Sequence, residues 1–184
     1  MHSERPSLYL HDGCWLGKID LSRIGLIPRV LLTTNGTLTH VLEACFLEHI
    51  NVCKLAQHNT LRTFQQPYLT IATAENIMVR KILLQGQRTQ RHYVYAESFV
   101  LCDRLSEPVR QELTHTDTPI GKVLNHHQVE SYKRFVAYHQ EPAAEIGQYF
   151  ALAADQQIFS RTFVVYSHQQ PIMVITEKIP PLES

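Results

Sequence analysis

At 184 residues, with 44% hydrophobic and 18% charged side chains, the chain is long enough to bury the core of one globular domain and short for two. Its 17 basic side chains balance 17 acidic ones, which leaves no electrostatic surplus for counterion-release binding and argues against a nucleic-acid partner. The four cysteines, Cys14, Cys45, Cys53 and Cys102, form no C-x-x-C pair, and no segment approaches the ~20 apolar residues that a spanning helix needs. The expectation is therefore a cytoplasmic protein with reduced thiols and no membrane insertion.

In chain order, Met1-His2-Ser3-Glu4-Arg5-Pro6 lacks the basic-then-apolar pattern of a secretory leader, and residues 1–34 form an arm of mixed composition that carries no clear element. Asn35-Gly36-Thr37 reads as a turn. It opens an amphipathic helix over residues 38–47, with apolar side chains at 38, 41, 42, 45 and 46 and Thr37 as its cap. Strands are expected over 52–56, 68–72, 77–84 and 92–101, the last two joined by a polar hairpin loop at 85–91. Residues 107–114, with Pro108 in the first turn, and 120–124, after Thr118-Pro119, read as two short helices. Residues 133–150 are polar and helical in propensity, with Lys133-Arg134 on a solvated face; strands at 162–166 and 172–179 close the chain as a hairpin. Strand runs broken by unpaired short helices predict an α+β fold on an antiparallel sheet, and the glycine patterns of Rossmann and P-loop proteins are missing.

Two strands carry an ion where the pattern is apolar. Arg80 shares its face with Met78, Ile82 and Leu84, and Glu177 shares its face with Met173, Ile175 and Ile179. An unpaired buried ion costs several kcal/mol, so the two are kept by a ligand or by each other, the second case being a salt bridge that fixes strand register.

Five segments in order resemble one family: Gly36-Thr37-Leu38-Thr39, Val79-Arg80-Lys81-Ile82-Leu83-Leu84, Tyr95-Ala96-Glu97-Ser98, Thr118-Pro119-Ile120-Gly121 and Ile175-Thr176-Glu177. Their spacing from about residue 30 to 180 resembles the chorismate lyases, which split chorismate into 4-hydroxybenzoate and pyruvate. The resemblance implies a single domain: a six-stranded antiparallel sheet with helices on one side and a buried pocket. It also implies that Arg80 grips a ligand carboxylate, that Glu177 meets the ring hydroxyl, that Leu38 and Ile120 line the pocket beside Gly121, and that no metal or organic cofactor is needed. The product would serve as ring precursor of a prenylated quinone or a phenolic lipid, in a monomer or small homo-oligomer.

One departure stands out. The family's best-known bacterial members carry a second arginine near the position of Ser98, so the second carboxylate of chorismate lacks an obvious partner here. Arg161 is the preferred substitute over Arg91. Glu97 and Ser98 stand on opposite faces of their strand, and the sequence leaves open which face turns to the pocket. Eleven histidines raise the question of a metal, but no H-x-x-x-H pair occurs and the adjacent His126 and His127 are expected to point apart. The rival reading is a non-catalytic aromatic-acid-binding domain of the same fold, as in the effector domains of bacterial regulators. Those follow a basic winged-helix region, for which the segment before Thr37 is too short and not basic.

Overall fold

The computed structural model of the chain describes residues 15–16, 18–66 and 68–182. The start of the N-terminal arm, with Cys14, lies outside them. The rest of the arm is ordered into elements: β1 (Trp15–Leu16) pairs with β2 (Ile19–Asp20), a 3-10 turn spans Leu21–Arg23, and α1 covers Leu26–Thr33. Ile27, Leu31 and Leu32 recur at helical spacing and bury one face of α1, while Pro28 sits in the first turn, where a helix needs no N–H donor. α2 (Leu38–Phe46) starts after Thr37 as expected and ends at Leu47 in the left-handed region, φ 51°.

Six strands form one antiparallel sheet: β3 (Ile50–Gln66), β4 (Leu69–Gly86), β5 (His92–Leu101), β6 (Tyr132–Pro142), β7 (Gln157–Ser167) and β8 (Gln170–Ile179). Their spatial order is β3-β4-β5-β8-β7-β6. The crossover from β5 to β6 carries α3 (Glu107–His115) and α4 (Ile120–His126), close to the two short helices expected.

Two expectations are corrected. The separate strands at 52–56, 68–72 and 77–84 are pieces of one long hairpin, because backbone pairing continues through polar residues such as Asn59 and Arg62, where side-chain alternation gives no signal. Residues 133–150 are not a helix: β6 occupies the first part and a 3-10 turn, Ala144–Phe150, the rest. The helix formers of that segment are overruled by pairing with β7 and by burial of Phe135 and Tyr138 on the side of a bulge at Val136.

The main core lies between the helices and one face of the sheet. Leu31, Leu32, Leu42, Val109, Leu113 and Val123 from the four helices meet Met78, Val94, Val100, Met173 and Ile179 from the strands. Burying side chains of this size contributes about 1.5–3 kcal/mol each. A smaller cluster covers part of the other face, joining Phe64 and Ile71 near the tip of the β3–β4 hairpin with Ile77, Leu101, Val164 and Val174, and the Phe64 ring lies 5.2 Å from that of Phe99.

Candidate active site

Strand register places the chemistry. Three rungs of directly paired residues cross the helix-covered face: Arg80, Ser98, Ile175, Phe163 and Phe135; on one side Ile82, Ala96, Glu177, Arg161 and Tyr138; on the other Met78, Val100, Met173, Val165 and Lys133. With strands about 4.8 Å apart and a rise of about 3.4 Å per residue, the Cα atoms of Arg80 and Glu177 stand about 12 Å apart. The two side chains thus start two strands and one rung apart on the same face of the sheet.

A cavity of about 80 Å³ occupies this space, walled by Leu38, Ile82, Ser98, Ile120, Phe163 and Ile175, with Gly121, Lys133 and Glu177 also reaching it. One water needs roughly 10–15 Å³ on this measure, so the space suits several waters or one small aromatic acid. α2 and α4 close it. A Cβ on Gly121 would sit 2.8 Å from Thr37 Cγ2, so only glycine lets the first turn of α4 approach the start of α2 this closely.

Arg80 is 1% exposed and stands beside the cavity, not in its wall. Its Nη1 and Nη2 donate to the Thr118 carbonyl at 3.3 and 3.2 Å, next to the lining residue Pro119, and its buried Nε has no partner among the described residues. Burial pushes the guanidinium below its ordinary pKa, and the Asp117 carboxylate works the other way. Asp117 itself is bonded to Lys54 at 2.9 Å.

Glu177 does not pair with Arg80, so the register-fixing salt bridge between those two does not exist. Its Oε2 accepts from Arg161 Nε at 2.6 Å, while among the described residues no hydrogen bond engages Oε1. Arg161, fully buried, also donates from Nη1 to the carbonyls of Leu32 and Thr34 at 3.2 and 2.7 Å. These are carbonyls that the end of α1 leaves without helical partners. The guanidinium lies over the Phe135 and Phe163 rings at 5.1 and 5.8 Å. Arg161 stands outside the cavity lining: its Nε and Nη1 are engaged by Glu177 and α1, and its buried Nη2 has no partner among the described residues.

Glu97 faces away. It is the cross-strand partner of Lys81, with 3.5 Å between the charged atoms, on the face opposite Ala96 and Ser98. A period of two allows only one of Glu97 and Ser98 into the cavity, and Ser98 is the one.

Lys133 escapes the sequence reading, which puts it on a solvated helix face. Its Nζ donates to the carbonyls of Asn35 and Gly36 at 3.1 and 2.9 Å and lies 5.2 Å from the Phe163 ring centre. Burial pushes the ammonium below its ordinary pKa; Glu177 opposes that shift and Arg161 adds to it. The alternation of Lys133 with Phe135 across Arg134 is the available signal.

Among the described residues one group could hold a metal. His126 Nδ1 and His127 Nε2 approach the same Glu112 Oε2, at 3.0 and 2.8 Å. The expectation that these rings point apart fails because His127 has left helical geometry, with φ −85° and ψ 7°, as the cap of α4. The donors are of the zinc-binding type, yet two imidazoles hydrogen-bonded to one carboxylate already account for the arrangement, which ties α3 to α4.

The fold is shared widely. The effector domain of PhnF from Mycobacterium smegmatis superposes with a TM-score of 0.60 at 10% identity, over 80% of this chain and 90% of that one. The C-terminal domain of the histidine utilization repressor from Pseudomonas syringae gives 0.56 at 11% identity, over 74% and 97%. At these identities the likeness concerns architecture alone. The sequence is more specific: residues 32–184 match the family model described as "Chorismate pyruvate-lyase Rv2949c-like", and the chain belongs to that family. A protein of Mycobacterium tuberculosis named chorismate pyruvate-lyase is 29% identical over 176 residues, covering 89% of this chain and 84% of that protein. One of the same name from Mycobacterium leprae is 28% identical over 169 residues, covering 88% and 78%.

Proposed function

We propose that this protein is a chorismate lyase, eliminating pyruvate from chorismate to give 4-hydroxybenzoate without metal or organic cofactor, in the cytoplasm, for quinone or phenolic lipid synthesis. The observation that carries the reading is an apolar cavity lined by the half-engaged Glu177 carboxylate, with the buried Arg80 cation beside it, two strands and one rung away on the same face.

Arg80 would receive the ring carboxylate, its planar donor fork suiting that group and its unpartnered Nε leaving a proton to give. Glu177 Oε1 would accept the ring hydroxyl, and the charge-assisted bond from Arg161 favours this acceptor role over donation to the leaving oxygen. Leu38, Ile120 and Ile175 exclude water from the ring. In the reaction the ring C–O ether bond breaks with its electron pair going to the leaving oxygen, a ring hydrogen departs as a proton, and that proton ends on the departing pyruvate. Aromatisation drives the step, so the protein has chiefly to hold the diene in an elimination-ready, desolvated geometry.

The test is incubation of the purified protein with chorismate in EDTA-containing buffer, following pyruvate through lactate dehydrogenase and 4-hydroxybenzoate by chromatography. Equimolar release of both supports the reading. Tight binding of 4-hydroxybenzoate with no turnover would replace it with the non-catalytic effector-binding alternative.

A further inference from the structure

The helix-covered face of the sheet holds more positive charge than its own carboxylates answer. Arg161 and Glu177 neutralise each other, and Lys54 takes Asp117. Arg80 and Lys133 are left with neutral carbonyls only: Thr118 for the first, Asn35 and Gly36 for the second. Among the described residues neither makes an ion pair with a carboxylate. An ammonium with three protons and two carbonyl partners has one proton to give, and Lys133 lines the cavity.

The rungs put these charges at the corners of a triangle. Arg80 lies on the middle rung, with Glu177 one rung to one side and Lys133 one rung to the other. The Cα atom of Lys133 is about 17 Å from that of Glu177 and about 20 Å from that of Arg80 by strand spacing and rise, and a lysine side chain reaches several ångströms inward. A ring lying from Arg80 to Glu177 therefore has Lys133 off its long axis, beyond Phe163. Chorismate has the matching shape, with one carboxylate on the ring opposite the hydroxyl and the second on the ether arm beside that hydroxyl.

We propose that Lys133 is the substrate-binding residue for the second, ether-borne carboxylate of chorismate, in the place where Arg161 was expected to act. The inference rests on the lyase reading for the substrate's identity. Lys133 then discriminates substrate from product: chorismate and the departing pyruvate carry the carboxylate it holds, and 4-hydroxybenzoate does not. Its desolvation beside Phe163 strengthens the attraction for an anion while the two carbonyls fix its position.

The test compares Lys133→Met and Lys133→Arg with the parent in two calorimetric titrations. One uses 4-hydroxybenzoate; the other uses 3-(carboxymethoxy)-4-hydroxybenzoate, a stable aromatic mimic bearing both carboxylates. Losing one charge-assisted hydrogen bond should weaken the dicarboxylate about ten- to a hundredfold in Lys133→Met, with 4-hydroxybenzoate affinity within about twofold and Lys133→Arg close to the parent. Chorismate KM should rise in step. Equal weakening of both ligands, or of neither, would overturn the assignment. If Lys133→Met does not fold, the parent and Lys133→Arg decide it: both must prefer the dicarboxylate by about tenfold or more, and a parent that does not would refute the proposal. Binding needs no turnover, so selective dicarboxylate binding without pyruvate release would sink the lyase reading and leave the Lys133 subsite standing.

Discussion

Replacing Glu177 by glutamine separates its two jobs. Arg161 is fully buried and the Glu177 side chain 13% exposed, so the pair is little screened by solvent. The glutamine amide keeps the shape and an acceptor for Arg161 Nε but removes the charge, leaving a buried guanidinium held only by neutral groups. Breaking a buried pair outright costs about 3–5 kcal/mol; with the acceptor kept, and with the Leu32 and Thr34 carbonyls still on Nη1, about 2 kcal/mol is expected. In a domain of this size that lowers Tm by roughly 4–8 °C. Arg161→Met should cost more, since it strands both the Glu177 carboxylate and the α1 carbonyls, and the double variant should cost less than the two single costs together because the ions depend on each other. Thermal unfolding by circular dichroism gives these values, and the lyase assay run in parallel should show Glu177→Gln losing turnover beyond what lost folded protein explains. Additive Tm shifts in the double variant would refute the buried pair as a unit, and full turnover in Glu177→Gln would leave the glutamate structural.

Other perturbations follow from the same geometry. Arg80→Met should weaken 4-hydroxybenzoate binding by about tenfold or more and abolish measurable turnover, whereas retained binding by calorimetry would remove Arg80 from the site. Gly121→Ala should drive α4 off Thr37, cost about 1–3 kcal/mol in a melt and raise chorismate KM; a neutral melt would mean that the helices yield freely. Glu48 accepts from the Tyr93 hydroxyl, from the Thr89 hydroxyl and N–H and from the Arg88 N–H, and the Tyr93 bond foremost holds its carboxyl down to about 2. A depressed carboxyl contributes stability that is full above its unfolded value of about 4.5 and is lost as pH falls from there through about 2. Glu48→Gln should therefore flatten the stability profile between those pH values, and an unchanged slope in acid melts would show that the Glu48 bonds do not form in solution.

How legible all this was depends on which physical rule each residue obeyed. Arg80 and Glu177 could be singled out because a strand has period two, and a charge among apolar neighbours on one face violates the pattern by an amount that burial energetics makes too large to ignore. The short helices near Pro108 and Pro119 were readable for a local reason as well: Pro108 sits in the first turn of α3, where its fixed backbone angle suits a helix, and Pro119 is the N-cap residue from which α4 starts. Lys133 and β6 left only the short alternation of Lys133 with Phe135 as a signal, which the local helix preference of Lys, Arg, Ala, Glu and Gln outweighs until pairing with the edge of β7 turns that segment into strand.

The sequence by itself thus determined the antiparallel α+β character and the two inward charges, since alternation and turn chemistry are properties of neighbours along the chain. Tertiary structure alone decided who meets whom. Arg161 faces Glu177 because β7 and β8 pair in one register and not its neighbour, Ser98 and not Glu97 reaches the cavity because of the side on which the helices pack, and His126 and His127 converge on Glu112 because the end of α4 meets α3. Partner choice across long chain separations is set by packing of the whole core, and no local pattern records it.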